Sequence, residues 1–567
     1  MSTTFLFGYI AFMVVTIIGV NLIARRSRPA RLAGAADAPA PLDEVQLNNP
    51  DSAPMPAPQV KTQERAPLAT ADISIPKVLT VLLIGMFIAI LNQTLINVAL
   101  PVLINDFNVS TSTAQWLTTG FMLVNGILIP ISAFLMRSYT FRQLFLVSMT
   151  LFFFGSIICS MAMNFPVMMI GRVVQAAGAG ILMPLGSNVF MTLFPPHKRG
   201  AAMGMLGIAM ILAPAVGPTI TGYVIQNYDW HVMFYGMAFF GLLTLLLGVA
   251  WFKLVQPLSK PKFDALGVIF STIGFGSLLY GFSEAGNDGW DSPLVISTIL
   301  IGILGIAAFA LRELSMDDPM LNIRVLKVPE FSFTLFINII VTMALFGGML
   351  LLPIYLQSIR GFSPIDSGLL LLPGSLIMGI TGPIAGRLFD RFGIRPLAIF
   401  GLTLMTYGTW ELTQLDMNTS YNSIMGIYML RSFGMAFIMM PIMTAGMNAL
   451  PMKMIPHGNA TQNTLRQVAG SIGTAILVTV MTRQTTAHLA DDANQFTTLD
   501  PTLSQHLNEL GQQLGSSQAA SVSWITQLTK QATISGITDA FWVATVLSAL
   551  ALILSFFLHG KKEPNLD

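Results

Sequence analysis

The sequence predicts an all-α polytopic membrane protein: two homologous six-helix bundles, two helices inserted between them, and one extra helix at the N-terminus. Three observations carry this expectation. There are fifteen apolar runs of membrane-spanning length, the basic residues fall in alternate connecting loops, and the chain repeats itself at an offset of 253 to 260 residues.

Composition sets the solvent. Hydrophobic residues make up 53% of the 567 and charged residues only 10%, an apolar excess and a charge deficit that ordinary soluble domains do not show. The 48 glycines and 35 methionines suit long apolar helices that pack closely through small residues. Cys159 is the sole cysteine, which excludes a disulfide framework and a thiolate metal cluster. The six histidines show no metal-ligand spacing, and there is no phosphate-binding GK[ST] loop and no Ser/His/Asp set on one plausible face. No cofactor, metal, ATP hydrolysis or nucleic-acid partner is therefore expected; the partner is the lipid bilayer.

Taken in order, residues 1–24 contain the apolar run Phe5 to Ile23, followed by Arg25, Arg26, Arg28 and Arg31. Basic residues after the run, with none before it, reverse the pattern of a signal peptide and predict an anchor with its N-terminus outside. Residues 25–76, rich in Pro and Ala, have too few large apolar groups to fold and read as a disordered cytoplasmic linker. A hydrocarbon core about 30 Å thick needs about 20 helical residues. Fourteen such spans follow, near 77–103, 115–136, 143–163, 167–190, 201–225, 232–252, 264–283, 292–311, 331–356, 366–388, 396–414, 423–446, 459–482 and 537–558. They group into an N-terminal bundle (77–256), two inserted helices (257–328) and a C-terminal bundle (329–567) with an external loop at 484–536. With the linker inside, 23 of the 29 basic residues fall on the cytoplasmic side and only Arg360, Arg483 and Lys530 outside. That asymmetry predicts a multi-pass protein of the cell membrane with a cytoplasmic C-terminus.

The repeat joins the two bundles. Ala133, Leu135, Tyr139, Arg142 and Leu144 match Gly386, Leu388, Phe392, Arg395 and Leu397; Arg172 matches Arg431, and Pro196–His197 matches Pro456–His457. Duplicated halves with a site between them are the architecture of alternating-access transporters.

Polar groups inside apolar spans mark the candidate site, because an unsatisfied amide or a charge is costly in hydrocarbon. The first span holds Asn92, Gln93, Thr94 and Asn97; the fourth holds Arg172 with Gln175 one turn further on the same face; the twelfth and thirteenth hold Arg431 and Arg466. For the first four residues, hydrogen bonding between helices is as good a reading as a cavity role. For Arg466, headgroup snorkelling is the simpler reading. The fifth span carries LGIAMILAPAVGPTITG, where Pro214 and Pro218 bend the helix and Gly207, Gly217 and Gly222 permit close approach of a neighbour. The loop after the tenth span, GRLFDRFGIR, offers Gly386 for close packing, Asp390 as a helix cap, and Arg391 and Arg395 toward anionic headgroups, with a second glycine at Gly393. Asp264, at the start of the seventh span, reads as an N-cap.

These segments resemble the major facilitator superfamily, and within it the fourteen-span drug:proton antiporters of the EmrB/QacA type, in the lincomycin-resistance-like branch. LNQTLINVALP is similar to that family's first-helix signature LDxTxVNVALP, GRLFDRFGIR matches every fixed position of its loop motif GxLxDRxGxR, GRVVQAAGAGILMP looks like its second motif, and the fifth span resembles its antiporter motif. The resemblance implies a secondary active transporter, not an enzyme, that exports small lipophilic or cationic compounds in exchange for protons as a monomer, with the fifth helix sealing against the second bundle. Two departures stand out: Asn92 occupies the position of the family's usual Asp, and the first-half loop AFLMRSYTFR has Arg137 in place of the Asp and Thr140 in place of the second Gly. With Asn92 unable to titrate, Glu284, Glu411 and Asp539 remain as coupling carboxylates. Export or flipping of an endogenous lipid or metabolite is the alternative within the class; a membrane enzyme or a scaffold is the alternative outside it.

Overall fold

The computed structural model describes residues 74–109, 111–256, 258, 264–495 and 517–558. The leader run at 5–23, the linker to residue 73 and the tail from 559 lie outside the described residues. The N-terminal bundle comprises α1 (Ile75–Phe107), α2 (Thr111–Ser138), α3 (Phe141–Ser160), α4 (Phe165–Leu193), α5 (Arg199–Asn227) and α6 (His231–Trp251). The inserted pair is α7 (Ala265–Asp288) and α8 (Pro293–Ser315). The C-terminal bundle comprises α9 (Pro329–Ile354), α10 (Pro364–Phe392), α11 (Ile394–Glu411), α12 (Tyr421–Ala436), α13 (Met439–Asn448), α14 (Ile455–Gln495) and α15 (Ser517–Ser555). Thirteen helical stretches of the described chain are long and apolar enough to cross a membrane, and α11 stands where the fourteenth is expected.

Local chemistry sets the ends. Proline in the first turn opens α1, α4, α8, α9 and α10, where a missing N–H costs nothing. Asn164, Ser363 and Ser420 accept from backbone N–H groups of the first turns of α4, α10 and α12.

The structure revises the expected elements at two places. The twelfth span is two helices, broken at Phe437–Ile438. Pro441 lacks an N–H for the Phe437 carbonyl and its ring crowds that turn, which favours a break at this point. The expected loop at 484–536 is helical over most of its length, because α14 continues to Gln495 and α15 starts at Ser517; polar helical turns outside a bilayer leave no apolar run to read. Asp264 occupies the N-cap position of α7, with the first-turn amides of Leu266 and Gly267 directed at its carboxylate. The same carboxylate takes a fork from Arg312 of α8, Nε at 2.8 Å and Nη2 at 2.7 Å, closing the hairpin of the inserted pair. Burial would raise this carboxyl's pKa, but the Arg312 fork and backbone donors outweigh it and hold the pKa below the usual value.

The two bundles meet along two seams. In one, α5 packs antiparallel on α10 over its whole length; in the other, α14 lies against α2 and α4, with α7 alongside both α2 and α14. Helix α8 packs on α7 and turns leucines such as Leu304 and Leu311 outward.

Candidate functional site

Inside the N-terminal bundle α4 places Arg172 and Gln175 on one face, three residues apart, and α1 brings Asn92 against them; all three are fully buried. Arg172 Nη1 donates to Gln175 Oε1 (3.1 Å) and to the Asn92 carbonyl (3.4 Å), and Nε donates to the Leu117 carbonyl of α2 (3.3 Å). Asn92 Nδ2 also donates to Gln175 Oε1 (3.2 Å), whose amide nitrogen donates to Ser156 of α3 (2.8 Å). The guanidinium lies 4.3 Å from the Phe121 ring centroid, a favourable contact for a desolvated cation. One network thus ties four helices. It is incompletely satisfied, since Asn92 Oδ1 and Arg172 Nη2 are buried without a partner. Thr94 turns its hydroxyl to the Leu91 carbonyl, and Gln93 is half-buried outside the network. The Asn97 and Pro218 side chains lie outside the described residues.

The C-terminal bundle repeats half of this. Arg431 donates to the Ala344 carbonyl of α9 (3.3 Å) and to Thr409 of α11 (3.1 Å). Ala344 stands 252 residues after Asn92, so in each half the buried arginine fastens the backbone of that half's first helix at the same place. The amides of the N-terminal network have no counterpart, since Ala344 replaces Asn92 and Gly434 replaces Gln175.

Arg466 differs from both. It is half-buried rather than fully buried. It lies eleven residues into α14, about 16 Å from the start of the helix, and borders a narrow interior cavity of about 20 Å³. Asn338 and Thr342 of α9, Gln462 and Asn463 of α14, and four methionines, Met435, Met439, Met440 and Met443, share that lining. Among the described residues Arg466 has no hydrogen-bond partner. The sequence reading missed this cavity; the polar residues Thr461, Gln462, Asn463 and Gln467 around Arg466 are the signal that could have found it.

The α5/α10 seam is made by small residues meeting backbone to backbone. A carbon added at Gly204 would stand 2.5 Å from the Gly382 carbonyl oxygen and 2.8 Å from Pro383 Cα, and one added at Gly386 would collide with the Gly200 carbonyl. At the other end Gly222 meets Ile365. Gly207 is buried and Pro214 half-buried within α5. Gly217 does not face the second bundle, as the expected seal implied: it packs on Thr94 of α1, inside its own bundle. Asp390 closes the seam. Its two carboxylate oxygens accept from the Gly200 and Ala201 amides (3.0 Å each) at the start of α5, where orphan N–H groups and the helix dipole favour an anion. Such a cap contributes about 1 kcal/mol. Arg391 and Arg395 of the same loop are exposed, and Gly393 adopts φ 79°, a left-handed conformation that favours glycine.

The first-half loop solves its departures locally. Thr140, in the glycine position, caps α3 with a capping box to Gln143 and needs no positive φ. Arg137, in the Asp position, pairs with Asp318 (2.6 Å) from the segment after α8. That segment also donates Asn322 N–H to His457 Nδ1 of α14 (3.0 Å), so it touches both bundles. Sequence reading missed two further ties between the bundles: Arg199 Nη1 to Asn448 Oδ1 (3.2 Å) and Asn459 Nδ2 to the Pro184 carbonyl (2.9 Å). Pairings across some 250 residues leave no local pattern.

Residues 82–474 match the Major Facilitator Superfamily. The chain is 49% identical over 498 residues to the MFS-type transporter YhcA of Bacillus subtilis (strain 168), covering 86% of this chain and 93% of that protein. It is 37% identical over 488 residues to the lincomycin resistance protein LmrB of Listeria innocua, covering 86% and 97%. Among solved structures, the human organic anion transporter MFSD10 superposes with a TM-score of 0.54 at 13% identity, over 85% of this chain and 99% of that one, which shows a shared fold. With two homologous bundles, an inserted pair and these relatives, the chain belongs to the major facilitator superfamily, in the lincomycin-resistance-like branch of its drug antiporters.

Proposed function

We propose that this chain is a secondary active transporter that exports lipophilic compounds by alternating access, coupled to proton entry. The observation that carries the reading is the α5/α10 seam: two homologous bundles touch through bare backbone and are latched at one end by Asp390, an interface that can part and re-form as rigid halves rock. The lincomycin-resistance relatives favour drugs as cargo and export as direction. For coupling, Asn92 cannot titrate, and Glu284, Glu411 and Asp539 are the candidate carboxylates. Among them Asp539, within α15, meets His488 of α14 at 2.9 Å.

An efflux-deficient host carrying the gene is expected to tolerate higher concentrations of lincomycin and of lipophilic dyes, and to lose that tolerance when a protonophore collapses the pH gradient. Unchanged susceptibility across the panel, with no substrate-induced pH change in proteoliposomes, would remove the drug-export reading.

The orientation proposed from the basic residues puts the N-terminus and the α14–α15 connection outside and the C-terminus inside. A cysteine at Asn565 should stay unlabelled by an impermeant maleimide in intact cells and react after permeabilisation; labelling in intact cells reverses the assignment.

A further inference from the structure

We propose that the cavity in the C-terminal bundle is a substrate subsite for lipophilic compounds bearing a carboxylate or a similar anionic group, and that Arg466 holds that group. The inference rests on the export reading and names one class of its cargo, distinct from basic drugs such as lincomycin.

A buried guanidinium is costly unless something completes it. Three arginines lie inside the bundles. Two are fully buried and fastened by the protein, Arg172 by two carbonyls, Gln175 and the Phe121 ring with Nη2 left over, Arg431 by a carbonyl and Thr409. Arg466 is half-buried, has no hydrogen bond among the described residues, and borders space rather than a neighbouring carbonyl. No acidic residue lines the cavity. Asp106, Glu330, Asp366, Asp390 and Glu411 all sit toward the ends of their helices. The site therefore offers a positive charge with no acidic residue in its lining.

A carboxylate supplies what is missing, because it accepts two parallel hydrogen bonds from a guanidinium and neutralises it in a low-dielectric setting. A lipophilic cation meets repulsion and no acceptor charge. The walls fit an apolar body: Met439, Met440 and Met443 come from α13, which follows the break at Phe437–Ile438, and thioether side chains adapt to varied shapes. Broken helices beside a cavity are where transporters of alternating access hold their cargo. The cavity of about 20 Å³ admits little more than one small group, so the described conformation is closed on the ligand's apolar body.

The test uses a matched pair of probes on the full-length protein in lipid nanodiscs: 2-naphthylacetate and (2-naphthylmethyl)trimethylammonium, with binding followed by calorimetry. The parent protein is expected to bind the carboxylate and to bind the ammonium more weakly. Arg466→Gln should weaken carboxylate binding at least about tenfold, as loss of one partner of a buried charge pair does, whereas Arg466→Lys keeps the charge and should weaken it less. Stronger binding of the ammonium by the parent, no carboxylate binding by the parent, or equal carboxylate binding by parent and Arg466→Gln overturns the proposal. The comparison of the two probes on the parent stands even if a variant misfolds. Failure of the export reading shows differently: Arg466-dependent binding would persist with no movement of either probe in proteoliposomes.

Discussion

Gly204→Leu is expected to abolish export while the protein still inserts. The first side-chain carbon would meet the Gly382 carbonyl at 2.5 Å and Pro383 Cα at 2.8 Å, both backbone atoms, so relief requires α5 and α10 to separate. Overpacking of this kind costs about 1–3 kcal/mol, and the cost falls on one state of the transporter, the state in which the seam is shut. A shift of that size in a two-state equilibrium is about five- to 150-fold. Gly379→Leu in α10, the other helix of the seam, is the control, since a carbon there meets nothing within 4 Å. The measurement is efflux of a substrate identified by susceptibility, in cells with matched amounts of membrane-inserted protein. Parental efflux by Gly204→Leu would mean that the seam does not need to close for transport.

Arg172→Ala carries the second large effect, an expected fall in export of about tenfold or more, equivalent to at least 1.4 kcal/mol. The substitution frees the carbonyls of Asn92 and Leu117 together and leaves Gln175 with one donor fewer. Buried hydrogen bonds between membrane helices contribute about 0.6 kcal/mol each on average, so the bundle should still assemble, with α1 and α2 no longer held in one arrangement. Arg172→Lys separates charge from geometry. One ammonium cannot span the Leu117 and Asn92 carbonyls that the planar fork reaches, so export by the lysine variant should lie between parent and alanine. If lysine is as inactive as alanine, the fork matters more than the charge. If both variants export like the parent, the network serves assembly alone.

Much of the fold could be read before any coordinates, because hydrocarbon leaves a chain few options: backbone groups must be satisfied within a helix, and a helix of fixed rise needs a fixed number of apolar residues. The Arg172–Gln175 pairing was legible for a similar reason, since three residues along a helix return to one face. Polarity that bonds across the bundles was not. Nothing near Arg137 announces Asp318, and nothing near Asp390 announces the amides of Gly200 and Ala201. Gly217 shows the limit most simply: the sequence says that something approaches it closely, and only the packing says that the neighbour is Thr94 of its own bundle. The break before α13 had a visible cause in Pro441, but proline is common enough in membrane helices that kink and break look alike in sequence.

The unmatched charge of Arg466 makes the cycle an electrical device. An empty cavity carries one positive charge, and a cavity holding a monoanion carries none, so the membrane voltage acts on the empty carrier and leaves the loaded one alone. Moving one elementary charge through 100 mV is worth about 2.3 kcal/mol. A cavity that shifts across half of that field gains roughly 1.2 kcal/mol, or about sevenfold, toward the side that is negative. On the proposed export of an anionic cargo, the resting potential of a cell negative inside would draw the unloaded transporter back to face the cytoplasm, so voltage would reset it between cargoes while the outward, loaded step proceeds free of the field.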